Sequence, residues 1–284
     1  MKKHISTMIT VIVFLTGLSL LLYPTVSNYW NSLHQTKAVA NYSDAMEKIN
    51  QKEKQDAIDA AKAYNETLLS NVGRFTQTEE EMNTYKSLLN ADSTGMMGYI
   101  EIPEIQCELA IYHTVDESVL QVGVGHLEGS SLPVGGSGTH CVLSSHRGLP
   151  SAKLFTDLDR LQKGDIFILH IYDQMLTYEV DQIAIVEPTD YGLLQIEEGQ
   201  DLCTLFTCTP YGINSHRLLV RGHRIENRSK ADVRITSDAA KMNTVVVATG
   251  IAIPLLVISF IAVDMSTRRS RKKRKQKGNH TKQK

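Results

Sequence analysis

The sequence predicts a mostly-β protein: a closed or nearly closed β-barrel with short helices, preceded by an amphipathic helical segment and flanked by two transmembrane helices. Three observations carry this. Runs of alternating or apolar residues at 97–103, 108–113, 139–144, 165–171, 176–187, 202–207 and 218–225 are short and broken by turn residues, the spacing of a barrel rather than of βαβ units. Residues 42–69 hold neither Gly nor Pro and set Met46, Ile49, Ile58, Ala61, Tyr64 and Leu68 among charged and amide side chains, which reads as one or two helices packing on the body. Residues 8–23 and 244–263 carry no charge.

The end segments set the topology. Lys2 and Lys3 precede the first apolar run and a cluster from Arg268 follows the second. Basic flanks stay in the cytoplasm, so both termini are expected there and the body outside. The second run has the roughly 20 residues a bilayer requires, and Pro254 within it is tolerable in a membrane helix. The first reads as an uncleaved signal anchor, because the small-x-small site at Ala38-Val39-Ala40 lies too far beyond it for cleavage. The expected order is therefore a cytoplasmic start (1–7), an anchor (8–23), an extracytoplasmic helical segment (24–94), a barrel (95–228), a linker (229–243), a second span (244–263) and a basic cytoplasmic tail (264–284).

Charge narrows the function classes. Of 30 Lys and Arg, twelve lie in the two cytoplasmic ends, leaving 18 against 31 acidic residues, a balance of -13. An acidic body does not suit nucleic acid, whereas the basic tail suits anionic lipid. Cys107, Cys141, Cys203 and Cys208 lack CxxC spacing, so a structural zinc site is not indicated. An even count outside the membrane would allow disulfides, but Cys107, Cys141 and Cys203 fall within apolar strand-like runs and read as buried small hydrophobes.

Cys208 is different. It ends an apolar strand beside Pro210, and Arg217 opens the next strand. A thiol is a weak nucleophile until a cation or base favours its thiolate. His146, where residues 139–144 run out into Arg147-Gly148, is the candidate base. Singly, such a histidine reads as a surface turn residue and such an arginine as a rim ion pair; as a set they read as a nucleophilic site. His216 adjoins Arg217 and falls on the opposite face of the strand. His126, His140 and His223 compete less well, and His126 and His140 are expected to be structural. Residues 71–94 are expected to be irregular, 129–138 a Gly- and Ser-rich loop, and 152–161 a short helix.

Thr204-Leu205-Phe206-Thr207-Cys208, with an arginine nine residues on and the upstream turn Ser145-His146-Arg147-Gly148, resembles the TLxTC signature and His, Cys, Arg set of sortases, membrane-anchored cysteine transpeptidases of Gram-positive bacteria. The segments 97–103, 124–133 and 146–152, with the carboxy-terminal span, are similar to class C, the pilus-assembling branch. The resemblance implies a sortase-type barrel in which Cys208 attacks the carbonyl after Thr of an LPxTG-like sorting signal and His146 serves as acid and base. It further implies that Arg217 holds the substrate backbone or stabilises the oxyanion, with Leu205 and Thr207 as substrate contacts, and that a pilin lysine takes the acyl group. It implies neither metal nor cofactor. A sortase that uses a cell-wall precursor amine, and a membrane-tethered assembly module without turnover, are the alternatives. The Asp-Pro-aromatic lid motif of many class C enzymes is absent; Arg74, Phe75 and Met82 stand in that region, and Phe75 or a neighbour is expected over the cleft.

Overall fold

The barrel begins where short runs of β-branched and aromatic residues begin. A computed structural model describes residues 2–71, 73–91 and 94–227, and residue 254. Eight strands close on themselves: β1 (Met96–Ile102), β2 (Cys107–His113), β3 (Val124–His126), β4 (Thr139–Ser144), β5 (Ile166–Ile171), β6 (Gln174–Val186), β7 (Asp201–Thr209) and β8 (His216–Ile225). Their order round the barrel is β1-β2-β3-β4-β7-β8-β6-β5, with β5 returning to β1. Two pairs are parallel, β2 with β3 and β4 with β7. The second of these matters for function, because parallel neighbours end at the same side of the barrel.

Alternation sorts each strand into two faces. On β7, Cys203 and Leu205 belong to the inner core with Leu143, Phe167, Tyr178 and Val220. Phe206 lies on the outer face, against Val142 and Leu219. Phe155, from the connection between β4 and β5, is fully buried in the same inner core; a side chain of that size contributes about 2 kcal/mol by leaving water.

Among the described residues four α-helices accompany the strands: α1 (Lys2–Lys48), α2 (Gln51–Leu68), α3 (Glu79–Ser87) and the single turn α4 (Glu117–Leu120). The start of α1 is long and apolar enough to cross a membrane, and the helix continues through Pro24 without a break. The chain divides after Ser27, and the rest of α1 belongs with the barrel. There Val39, Tyr42 and Met46 pack on Met96 and Ala110, and the Tyr42 hydroxyl donates to the Met97 carbonyl at 2.8 Å. The second apolar run and the basic tail fall outside the described residues, apart from Pro254.

Two local expectations are corrected. The stretch 71–94 is not wholly irregular, because Thr78 and Glu81 form a reciprocal capping box that starts α3. Residues 152–161 form turns and one 3-10 turn (Leu158–Arg160), not an α-helix; Leu154 adopts a φ of 42° there, which an α-helix does not allow. β3 and α4 were hidden by their length, three and four residues.

Candidate active site

Register brings the predicted residues together. β7 and β8 are antiparallel with Cys208 directly opposite Arg217, a pairing that sets their Cβ atoms about 4.5–5.5 Å apart. β4 runs parallel to β7 with Ser144 beside Phe206. The match continues beyond the strand: the Ser145 amide donates to the Phe206 carbonyl at 3.2 Å, and the Thr207 hydroxyl donates to the Ser145 carbonyl at 2.7 Å. His146 follows Ser144 by two residues as Cys208 follows Phe206, so both leave the same end of this parallel pair. Three strand ends thus deliver nucleophile, imidazole and guanidinium to one edge of the barrel.

The turn that carries His146 is pinned on both sides. Its carbonyl accepts from the Phe155 amide at 3.1 Å, so the buried phenylalanine anchors it from behind. Arg147 donates to Thr209 at the end of β7 and pairs closely with Asp159. Gly148 has a φ of 80°, and a Cβ there would come within 2.8 Å of the Tyr211 ring, so the turn after Cys208 rests against the turn after His146.

Glu117, at the start of α4, went unnoticed in the sequence. His146 Nε2 lies 3.1 and 3.2 Å from its two carboxylate oxygens, and Gln121 donates to the same carboxylate at 3.0 Å. The bond from Gln121 and then the imidazole hold the Glu117 carboxyl below its usual range. Because Nε2 donates to a carboxylate, Nδ1 is the ring nitrogen left to meet a reacting group. No motif marks Glu117; only the fold brings α4 to the end of β4.

Arg217 donates from Nη1 to the carbonyls of Asn214 and His216, both at 3.1 Å, and its guanidinium lies 5.9 Å from the centroid of Phe206. These bonds hold the arginine along its own turn, beside the thiol. Cys208 is half-buried, whereas Cys107, Cys141 and Cys203 are buried, and all four are unbridged. Burial pushes the Cys107 thiol up to about 12 and Cys203 well above its ordinary value, which leaves both inert as nucleophiles.

Leu205 and Thr207, predicted as substrate contacts, point to the other face. Leu205 is fully buried in the inner core, and the hydroxyl of Thr207 is spent on Ser145. They support the site from behind; Phe206, between them, is the residue of the signature on the outer face. Beside it lies an apolar groove floored by Val142, Leu194 and Leu219, and Phe75 packs into it with Leu127 and Phe206.

Arg74 and Phe75 are seated firmly. Arg74 Nη2 donates to the Leu194 carbonyl at 3.0 Å, its guanidinium lies 4.7 Å over the Phe75 ring, and Phe75 stacks on Tyr191 with centroids 5.2 Å apart. Gly129, with a φ of 81°, lets the Arg74 carbonyl approach where a Cβ would come within 2.0 Å. Met82 sits on α3, packed against the core.

The competing histidines are structural in this geometry. His140 Nδ1 donates to the Gln195 carbonyl and Nε2 accepts from the Thr204 hydroxyl, both at 2.7 Å, tying the loop before β7 to β4. Burial pushes its pKa down to about 4. His126 Nε2 donates to the Ser131 carbonyl at 2.8 Å while the hydroxyl of Tyr85 on α3 bonds Nδ1 at 3.0 Å. His216 pairs at 3.4 Å with Glu187, and His223 lies 3.8 Å from Asp181.

Comparison with known proteins agrees with this geometry. Residues 100–225 match the model of the sortase domain. Sortase C1 of Streptococcus agalactiae is 48% identical in sequence, with 68% of this chain and 100% of that one covered and a TM-score of 0.66. Sortase C-1 of Actinomyces oris is 41% identical, with 62% and 99% covered and a TM-score of 0.58. Among more distant relatives, sortase A of Bacillus anthracis is 25% identical over 230 residues, 81% of this chain and 99% of that protein.

Proposed function

The chain belongs to the sortase family of cysteine transpeptidases, and from that premise we propose that it builds covalent pili on the outer face of the cytoplasmic membrane. The similarity to class C sortases supports this reading, and the observation that carries the chemistry is the register that pairs Cys208 with Arg217 and ends β4, two residues before His146, beside Phe206.

In the proposed reaction, Cys208 Sγ forms a bond to the threonine carbonyl carbon of an LPxTG-like sorting signal. The oxygen takes the developing negative charge, and Arg217, always cationic and rich in donors, stabilises it. As the C–N bond breaks, His146 passes a proton from Nδ1 to the departing glycine amine, leaving a thioacyl enzyme. The ε-ammonium of an acceptor pilin lysine gives one proton to solvent; the resulting amine attacks the thioester, His146 takes the second proton from the attacking nitrogen, an isopeptide bond forms and the thiolate leaves. Glu117 bonds Nε2 throughout and so fixes which nitrogen faces the reacting groups.

Phe75 lies in the groove that leads along Phe206 toward Cys208, where the apolar side chains of a sorting signal would lie. We read residues 71–78 as a lid that must lift before the substrate binds. Chain order supports a two-pass anchor with both termini cytoplasmic, and the basic tail against anionic lipid.

Acceptor chemistry separates the pilus role from attachment to a cell-wall precursor, because both share the acylation half. The test compares intact cells carrying the wild type and Cys208→Ala. Pilin should appear as a high-mass covalent ladder only with the thiol. A ladder that survives the substitution would sink the assignment; a single wall-linked product in its place would favour wall attachment.

A further inference from the structure

α1 changes the face it turns toward the barrel. Over its last three turns the arrangement is the ordinary one, with Val39, Tyr42 and Met46 inward. Just before, the arrangement is reversed. Asn28 Oδ1 accepts from the Lys153 amide at 2.8 Å, Asn31 Nδ2 donates to the Ser151 carbonyl at 2.6 Å, and Gln35 Nε2 reaches the Val122 carbonyl at 3.5 Å. At about 100° per residue, Tyr29, Trp30 and Leu33 fall on the opposite side of the helix. They are 65%, 63% and 48% exposed.

A helix that turns its amides inward and its large apolar residues outward is suited to a medium other than water. Chain length says which. No Asp, Glu, Lys or Arg occurs between Lys3 and Lys37. The run 8–23 is a few residues short of the roughly 20 needed to cross the hydrocarbon, so the span has to use the residues up to about Ser27. The next turns then lie at headgroup depth, where Trp and Tyr concentrate. We propose that Tyr29, Trp30 and Leu33 form a lipid-facing belt immersed in the outer headgroup layer of the bilayer. The proposal rests on the reading of α1 as a membrane anchor.

The opposite face gives this belt a consequence for the site. Asn28 and Asn31 grip the connection that carries His146, and Gln35 reaches the residue two beyond α4, which carries Glu117. The belt therefore holds the catalytic edge of the barrel against the membrane surface, where a membrane-held polypeptide substrate presents itself.

Trp30 is the single tryptophan of the chain, so its emission reads the belt directly. The full chain is reconstituted in phosphatidylcholine–phosphatidylglycerol vesicles and floated on a density gradient. The expected result is blue-shifted emission, little quenching by aqueous iodide, and at least about a two-fold intensity loss with lipids brominated near the headgroup. Protein that floats but whose Trp30 is quenched by iodide and indifferent to brominated lipid overturns the belt while leaving the anchor intact. Shielding from both quenchers places protein, such as a second copy, on this face and also overturns it. Protein that fails to float removes the anchor reading and the belt with it.

Discussion

His140 and His146 stand at the two ends of one stretch of chain, six residues apart, and have opposite fates. His140 is enclosed between β4, Thr204 and the Gln195 carbonyl, with both ring nitrogens committed and its charged form disfavoured by burial. His146 lies just past the strand end, bonded on one nitrogen by an exposed carboxylate and at the same end of the parallel pair as a half-buried thiol. The same side chain is a rivet in one place and, in the proposed reaction, a proton carrier in the other. What separates the two is the surroundings: an imidazole can exchange protons at neutral pH only where water, a counter-charge and an uncommitted nitrogen coexist.

Substitution sharpens this contrast. His146→Gln should lower transpeptidation by about 10²–10⁴-fold, the usual worth of general acid-base catalysis, with the thermal midpoint unchanged. A matched fall in the thermal midpoint would make His146 structural after all. His140→Ala should do the reverse: it leaves the Thr204 hydroxyl and Gln195 carbonyl without their partner, costing about 1–3 kcal/mol for each stranded group, read as a lower denaturant midpoint.

The pH dependence of stability follows from the same pair. His140 is about 4 in the folded protein and about 6.5 in an unfolded chain, so the unfolded state binds more protons between these values. Stability therefore rises with pH through the window from 4 to 6.5 and is lost as pH falls through it, by about 3 kcal/mol at most. Urea titrations of wild type and His140→Gln from pH 4 to 7 measure it; equal slopes for the two proteins would show that the imidazole is not the source.

Smaller effects are expected at the periphery of the site. Phe75→Ala empties the groove beside Phe206 and should speed labelling of Cys208 by a thiol reagent by about 10-fold, the equivalent of 1.4 kcal/mol of lost seating. An unchanged rate would mean that residues 71–78 do not gate the thiol. Glu117→Gln should lower kcat by about 3-fold with KM unchanged, because solvent screens an exposed ion pair and leaves it a small effect, and Glu117→Asp should restore part of it. An effect on KM alone would move Glu117 from positioning the imidazole to binding substrate.

Much of this was legible in the chain. Alternation around residues 97–103, 139–144 and 218–225 reads directly as strands, because a barrel wall needs one apolar face. The capping box at Thr78 and Glu81 went unread within the stretch expected to be irregular, although both residues lie within one turn. The expectation that Leu205 and Thr207 contact substrate overlooked their facing: an odd offset from Cys208 sends a strand side chain to the other face, and that parity outranks their membership of a motif.

By itself the sequence singled out Cys208 and Arg217, marked most of the strands and predicted an apolar amino-terminal helix, because each of these is written in local pattern and spacing. Only the tertiary structure decided that β4 lies parallel to β7, so that the chain after Ser144 leaves beside the end of β7 that carries Cys208; that Glu117 reaches the His146 imidazole; and that Arg74 bonds the Leu194 carbonyl while Phe75 packs beside Phe206. Those contacts join residues 29 to 120 positions apart. Strand order and register set them, and no local propensity encodes a distance across the barrel.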